Sequence, residues 1–509
     1  MADTDILAGH AASTPDKPAI IFDGVTTDFA TLDKRANRAA NAFLGLGCAQ
    51  NDRVAVMSFN SAVGLEIGHA LRKAGLVGTP INYRLREHEV AYVLNDSGAR
   101  VVVAGPDHVD VVESARPHVT GDLSYVAVGE HRPAGWLAYE ELMDEADDTP
   151  PLPTGGAAGL GPSMIYTSGT TGNPKGAWRP SGVNLENVIQ TISTFGLSGS
   201  DIHLMCGPNY HSAVAYFTAL HQLLGGTVVV QPKFEAAGAL DLIERHRVTT
   251  AFMAPTLLRR LLDAHEGKGR DLSSLRALIL GAAPCPYSLK ARAEPLLGQI
   301  LWEFYGATET GINTVLRPED QLRKPGSCGQ AVQGQEIRLV DASGNEVPDG
   351  VPGELMVRNT WLAEYYNRPE ATGNSMHDGF FTVGDIGYRD NEGYYFICDR
   401  RIDMIISAGV NIYPAEVEAV LHAHPDVADA AVIGIPDEEW GESVKAVVQL
   451  RAGAHVTAQE LIAFCSERLA GYKKPRTVDF VDELPRDAAG KLLKRTIRDP
   501  YWASAGRCV

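Results

Sequence analysis

Long apolar runs are absent from this 509-residue chain, and stretches such as Ala430–Ile435 are far too short to cross a bilayer. An excess of basic charge is missing as well: 45 Lys and Arg against 63 Asp and Glu leave a net charge of −18, which disfavours a general binder of nucleic acid or anionic membrane. It leaves room for a local basic site. The opening MADTDILAGH has neither a basic segment nor a hydrophobic core, so no secretory signal is expected. Cysteine is sparse and unpaired in spacing: seven residues at 48, 206, 285, 328, 398, 465 and 508. An odd, scattered set argues against a disulfide scaffold or a zinc site and for reduced thiols in a cytoplasmic setting. No internal repeat, low-complexity tract or Walker A spacing occurs.

What the chain does have is one dense loop, Tyr166–Gly176, reading YTSGTTGNPKG. Ser163–Ile165 reads as the end of a short buried strand before it, and Asn173-Pro174 rules out a helix through it. The glycines allow a close backbone approach, and small hydroxyls with exposed N–H groups can surround a polyanion. Lys175 adds a point charge suited to a phosphate oxygen. Thr167, Ser168, Gly169, Thr170, Thr171, Gly172 and Lys175 are therefore the candidate triphosphate-binding residues.

Around this loop, helical and strand patterns alternate, as a layered α/β domain requires. Phe29–Gly47 is amphipathic, Arg53–Ser58 and Val101–Ala104 read as strands, and Ala62–Ala74 as a helix. Thr227–Val230 and Thr249–Met253 are further strands. Asp201–His211 ends in a Gly-Pro turn carrying Tyr210 and His211. A lone histidine is more often a structural residue than a functional one. Leu278–Pro284 (LILGAAP) is a strand breaking into small residues. Gly281, Ala282, Ala283 and Pro284 could admit a flat ring against the backbone, or serve close strand–helix packing. Tyr305–Thr310 (YGATET) joins an aromatic, a glycine, a hydroxyl and a carboxylate, and one carboxylate can hold Mg²⁺ beside substrate phosphates. Gly379–Tyr388 carries Asp385, able to accept two hydrogen bonds from a ribose diol. The tail alternates helix 414–422, strands 428–435 and 443–450, and helix 457–469, an α+β pattern that ends in LPRDAAGK with Lys491.

The phosphate loop closely resembles the signature of the adenylate-forming superfamily of acyl-CoA synthetases, luciferases and peptide-synthetase adenylation domains. The resemblance spans essentially the whole chain, with motifs at 166–176, 305–310, 379–388, 399–416 and 484–491. It implies a large multi-subdomain α/β N-terminal domain (1–398), a hinge (399–403) and a small mobile α+β C-terminal domain (404–509). It also implies roles. Adenine lies at Gly281–Pro284 and on Tyr305, Gly306 and Ala307. Thr308 bonds the α-phosphate, Glu309 ligates Mg²⁺, and Asp385 with Arg400 holds the ribose. His211 closes the acyl pocket, Gly409 admits the arm of CoA, and Lys491 reaches the active site. Tyr472–Pro475 adds basic residues that could meet CoA phosphates or simply face solvent. Four positions depart from the pattern: Val383 for Thr, Ile402 for Asp or Lys at the hinge, and Ala408 with Val410 around Gly409.

The expected activity is ATP-dependent acyl-CoA synthesis through an acyl-adenylate, with ATP, Mg²⁺ and CoA as co-reactants. The rivals are an acyl-AMP ligase that loads a carrier protein, another adenylate-forming enzyme, and a nucleotide-binding regulator without catalysis. A homodimer is compatible with the sequence. The presumed pocket lining (Tyr210, His211, Tyr216, Gly281–Ala283, Gly306, Gly311–Thr314) is mostly small. That suggests a bulky acid: a medium-to-long fatty chain, or a ring-bearing, steroid-like carboxylate.

Overall fold

Alternation of buried strands and amphipathic helices gives a mixed α/β protein, with a large N-terminal part and a small C-terminal one. The computed structural model describes residues 5–151, 160–167, 174–265, 269–400, 403–407, 410–437, 440–487 and 490–503. Two compact units divide the chain: Met1–Leu280 with Ala307–Gly311 and Asn359–His377, and Gly281–Gly306 with Ile312–Arg358 and Asp378–Val509.

The first unit holds an eight-stranded sheet in the order Glu364–Tyr365, Lys175–Arg179, Ser163–Thr167, Val77–Pro80, Arg53–Met57, Ala99–Ala104, Ser124–Ala127, Leu137–Ala138. Its middle strands are parallel, and Val101–Ala104 are at most 1% exposed, as strands covered on both faces must be. Helix Phe29–Gly45 buries Leu32, Ala36, Ala39 and Phe43 at helical spacing. Asp28 starts it by accepting from the Thr31 N–H at 2.7 Å, and Ser61 does the same for helix Ala62–Lys73. A second run of strands lies in the order Val25–Asp28, Pro18–Phe22, Thr227–Val230, Ile202–Met205, Thr250–Met253, Ala277–Leu280, parallel from Pro18–Phe22 onward.

The second unit orders Leu301–Ala307, Gly311–Leu316, Gly329–Ala331, Tyr394–Arg400, Asp385–Arg389, Gly353–Arg358 and Phe380–Phe381, with Glu336–Val340 beside Gly353–Arg358. Its C-terminal part is a five-stranded sheet in which Gly441–Leu450 pairs with Val427–Asp437, Ile405–Ser407 and Thr477–Phe480. Helices Pro414–His422 and Ala458–Ser466 close over it, burying Val417, Leu421, Leu461 and Cys465. The reciprocal Thr457–Glu460 cap starts the second helix.

The expected elements are present with ends shifted by a few residues. The phosphate stretch differs more. Tyr166 and Thr167 belong to strand Ser163–Thr167, and Lys175 and Gly176 open strand Lys175–Arg179. The two strands form an antiparallel hairpin with Thr167 opposite Lys175, so regular pairing takes both ends of what the sequence presents as loop.

Candidate active site

The hairpin brings Thr167 and Lys175 side by side; Ser168, Gly169, Thr170, Thr171 and Gly172 lie outside the described residues, as does Gly409. Glu309, 7% exposed, faces the hairpin's base. One oxygen of its carboxylate, Oε1, accepts from the Thr167 hydroxyl at 3.3 Å and from the Tyr365 hydroxyl at 3.0 Å. The Lys175 ammonium lies 4.9 Å from the centre of the Tyr365 ring. Phosphate hairpin and acidic turn therefore meet at a carboxylate held by two hydroxyls. Among the described residues no three His, Cys, Asp or Glu side chains cluster to hold a metal. A lone carboxylate beside a phosphate site fits Mg²⁺, which takes few protein ligands and completes its shell with phosphate and water oxygens.

Thr308 shares a hydroxyl–hydroxyl hydrogen bond of 3.0 Å with Ser212. Ser212 opens helix Ser212–Leu223, and His211 is the residue before its first turn. The His211 ring sits 5.1 Å from that of Tyr210, tilted by 37°. His211 is thus placed next to the residue that touches Thr308.

The segment 359–366 was not marked by the sequence, yet it ties this site together. Asn359 donates to the Thr310 carbonyl at 2.9 Å, the Ala363 N–H to the Glu309 carbonyl at 2.8 Å, and the Tyr366 N–H to the Gly176 carbonyl at 2.9 Å. Arg179 completes the brace: its Nε–H donates to the Trp361 carbonyl at 2.8 Å and its Nη2 to the Thr308 carbonyl. Burial pulls the Arg179 pKa down to about 10, with the Glu309 carboxylate working the other way, so the guanidinium is charged at neutral pH. A signal for this segment existed in Asn359-Thr360-Trp361 and Tyr365-Tyr366, polar and aromatic residues just before the Asn-Arg-Pro turn. Without the partner strand their role has no local signature.

Trp361 also revises the pocket expected at Gly311. A Cβ built on Gly311, whose φ is +71°, would lie 2.0 Å from Cε3 of Trp361. Gly311 therefore makes room for the indole and not for a ligand. Thr314, another expected lining residue, is fully buried and donates to the Cys328 carbonyl at 2.7 Å.

The second unit carries a separate constellation. The Tyr305 hydroxyl donates to Asp385 Oδ2 at 2.7 Å, and Asp385 is 6% exposed. Asp385 stands opposite Arg400 in antiparallel register, so the two expected ribose residues are neighbours through their backbones. Thr382 donates to Glu354 at 2.9 Å and accepts from the Gly384 N–H at 2.9 Å. A hydroxyl one residue before Val383 thus shapes the turn into Asp385. Gly281, Ala282, Ala283 and Pro284 form a turn in which Ala282 takes a positive φ of 68°. The turn is anchored just past Pro284: the Cys285 N–H donates to Glu303 at 3.2 Å, and Glu303 pairs with the buried Lys290. Glu303 and Tyr305 are two apart on one strand and share its face.

Lys491 sits on a turn closed by the Asp487 N–H to Lys491 carbonyl bond at 2.8 Å, in which Arg486 donates to the Gly490 carbonyl at 2.5 Å and to Asp429. Lys473, one of the basic pair considered for CoA phosphates, is engaged by both oxygens of Glu416 at 2.7 Å.

The chain is similar to known proteins over nearly its whole length. The AMP-binding enzyme family model matches residues 7–367 and its C-terminal domain model matches 416–491. A feruloyl-CoA synthase from an Amycolatopsis species is 37% identical over 96% of this chain and 97% of its own. The fatty acid–[acyl-carrier-protein] ligase ScoC of Streptomyces coeruleorubidus is 35% identical over 98% and 96%. The o-succinylbenzoate CoA synthetase of Bacillus subtilis, solved with its acyl-adenylate intermediate, superposes with a TM-score of 0.84 at 32% identity, covering 97% of this chain and 98% of that one.

Proposed function

The chain belongs to the AMP-binding enzyme family, the adenylate-forming acyl-CoA synthetases, and from that premise we propose how its residues divide the reaction. It is an acid–thiol ligase that uses ATP, Mg²⁺ and CoA. The observation that carries the assignment is the convergence of Thr167 and Tyr365 on Glu309, which joins the phosphate hairpin to the Thr308–Glu309 turn.

In the first half-reaction a carboxylate oxygen of the acid attacks the α-phosphorus of ATP. The O–P bond forms, the α–β bridge breaks, and pyrophosphate leaves. Thr308, fixed by Ser212, donates to the α-phosphate, and the loop 168–172 with Lys175 holds the β- and γ-phosphates. Glu309 would hold a magnesium ion, which would supply charge neutralisation at the phosphates. Asp385 and Arg400 hold the ribose, with adenine between Tyr305 and the 281–284 turn. Lys491 offsets the charge that builds on the phosphoryl oxygens, an effect strongest in a closed site. In the second half-reaction the CoA sulfur attacks the acyl carbon, forming the thioester and releasing AMP. Movement about residues 399–403 precedes that attack and presents Gly409 to the pantetheine arm, and His211 closes the acid side.

The acid is a bulky one, a medium-to-long fatty chain or a ring-bearing carboxylate; the relatives described above bear names of both kinds. The protein works in the cytoplasm, where its thiols stay reduced; among the described residues six cysteines are free and no helix is long and apolar enough to cross a membrane. A homodimer fits this reading. A carrier protein as acceptor is the second reading, favoured by the likeness to ScoC.

The test is acid-dependent ATP–pyrophosphate exchange, followed by addition of CoA or of a phosphopantetheinylated carrier protein. Exchange with thioester formed on CoA supports the reading. Thioester on the carrier alone supports the second reading, and binding of ATP without exchange for any acid leaves only a nucleotide-binding regulator.

A further inference from the structure

We propose that Trp361 sets the size and shape of the acid, so that this enzyme takes a compact, planar, ring-bearing carboxylate in preference to an extended aliphatic one. The inference rests on the ligase reading above and narrows its substrate class.

The reacting carboxylate has to lie at Thr308, and Thr308 is tied to Ser212. Tyr216 is four residues further along helix Ser212–Leu223, on the same face and about 5–6 Å from Ser212, one helical turn away. There the Trp361 indole packs edge-on against Tyr216, with ring centres 5.0 Å apart at 67°. It also occupies the space that a side chain at Gly311 would claim. An aromatic wall therefore stands one helical turn from the proposed reacting centre on this side. Aromatic walls favour flat partners, stacked or edge-on.

The wall is rigid where it matters. Thr191 accepts from the Tyr216 hydroxyl at 2.9 Å, the Trp361 N–H donates to Asn359 at 2.6 Å, and Arg179 holds the Trp361 carbonyl. The indole itself is 7% exposed, and its Nε1 finds no acceptor. The ring is held by packing alone, so a smaller side chain opens space without breaking a hydrogen bond.

The experiment measures kcat/KM for pyrophosphate release with trans-cinnamic and dodecanoic acids in wild type, Trp361→Leu and Trp361→Phe. Wild type should favour cinnamate at least about tenfold, since a single methylene that does not fit an apolar pocket is worth about 10- to 200-fold. Trp361→Leu should cut that ratio by about tenfold or more, through a gain on dodecanoate. Trp361→Phe keeps a flat ring and should hold the ratio within about threefold. A wild type that prefers dodecanoate overturns the inference while leaving the ligase reading intact, and needs no variant to fold. An unchanged ratio in a folded Trp361→Leu also overturns it. Pyrophosphate release with neither acid, nor with any other, overturns both.

Discussion

The proposed acid-side site of the first unit and the proposed nucleotide platform of the second are built in opposite ways. Thr308, Glu309, Arg179, Trp361 and Tyr365 come from three stretches far apart in sequence, held by side chains that donate to the Glu309 carboxylate and to other segments' carbonyls. The platform of Tyr305, Asp385 and the 281–284 turn stands on strands, with one buried ion pair, Lys290–Glu303, beneath it. The first site is a brace whose parts are each modest. The second concentrates its support in a single pair.

That contrast predicts where single changes hurt. Lys290 and Glu303 side chains are 2% and 7% exposed. Burial pulls the Lys290 ammonium down, and the Glu303 carboxylate outweighs it, so its pKa is raised. Removing one partner by Lys290→Met strands a buried charge and should cost about 3–5 kcal/mol in denaturant unfolding, while Lys290→Met with Glu303→Leu should recover most of it. A Lys290→Met protein as stable as wild type would break the contrast.

The first unit has its own sensitivity, to pH. The His221 Nδ1–H donates to the Phe217 carbonyl at 2.7 Å, its Nε2 accepts from Thr250 at 2.9 Å, and Thr250 in turn accepts from His203 at 3.0 Å. The two rings stack 4.1 Å apart, and burial keeps both neutral at neutral pH. Burial pulls His221 down to about 4 and His203 well below its usual value. The unfolded chain takes up these protons first, so stability is intact above about pH 6.5 and falls as pH drops from there towards 4. His221 alone accounts for about 3 kcal/mol at the bottom of that window. Unfolding curves from pH 7 to 4.5 should show a shallower fall for His221→Gln; identical slopes would exclude the pair as the cause.

Within the acid-side site, Glu309→Gln should slow pyrophosphate exchange about a hundredfold at matched Mg²⁺ with little change in stability. Wild-type exchange would remove Glu309 from the metal role. Smaller still, Tyr365→Phe deletes one of two hydroxyls on that carboxylate and should cost about fivefold in exchange, the value of one hydrogen bond of about 1 kcal/mol. A loss as large as that of Glu309→Gln would mean that the brace has one keystone after all.

The same contrast explains what the sequence could disclose. Thr308–Glu309, Gly379–Tyr388 and Tyr166–Gly176 are contiguous runs whose composition points to a chemistry, so the sequence singles them out without any partner segment. The parallel strands were legible too, because Val101–Ala104 and Thr227–Val230 are continuous apolar runs. Trp361 and Tyr365 were not, since each acts only through residues brought beside it by strand pairing across the hairpin. Glycine at 311 misled for a related reason: a small residue marks space, and the sequence does not say whether ligand or protein fills it. The regular pairing of Thr167 with Lys175 was hidden by turn-forming residues between them.

The account's central claim is that adenylate formation depends on the Lys491 ammonium and thiol transfer does not. Single-turnover assays on Lys491→Ala test it directly, with pyrophosphate release from acid and ATP measured beside thioester formation from presynthesised acyl-adenylate and CoA. Pyrophosphate release should fall about a hundred- to a thousandfold, the usual loss for one preorganised charged donor. Thioester formation from the adenylate should stay within a few-fold of wild type. Equal losses in both assays would contradict the division of labour.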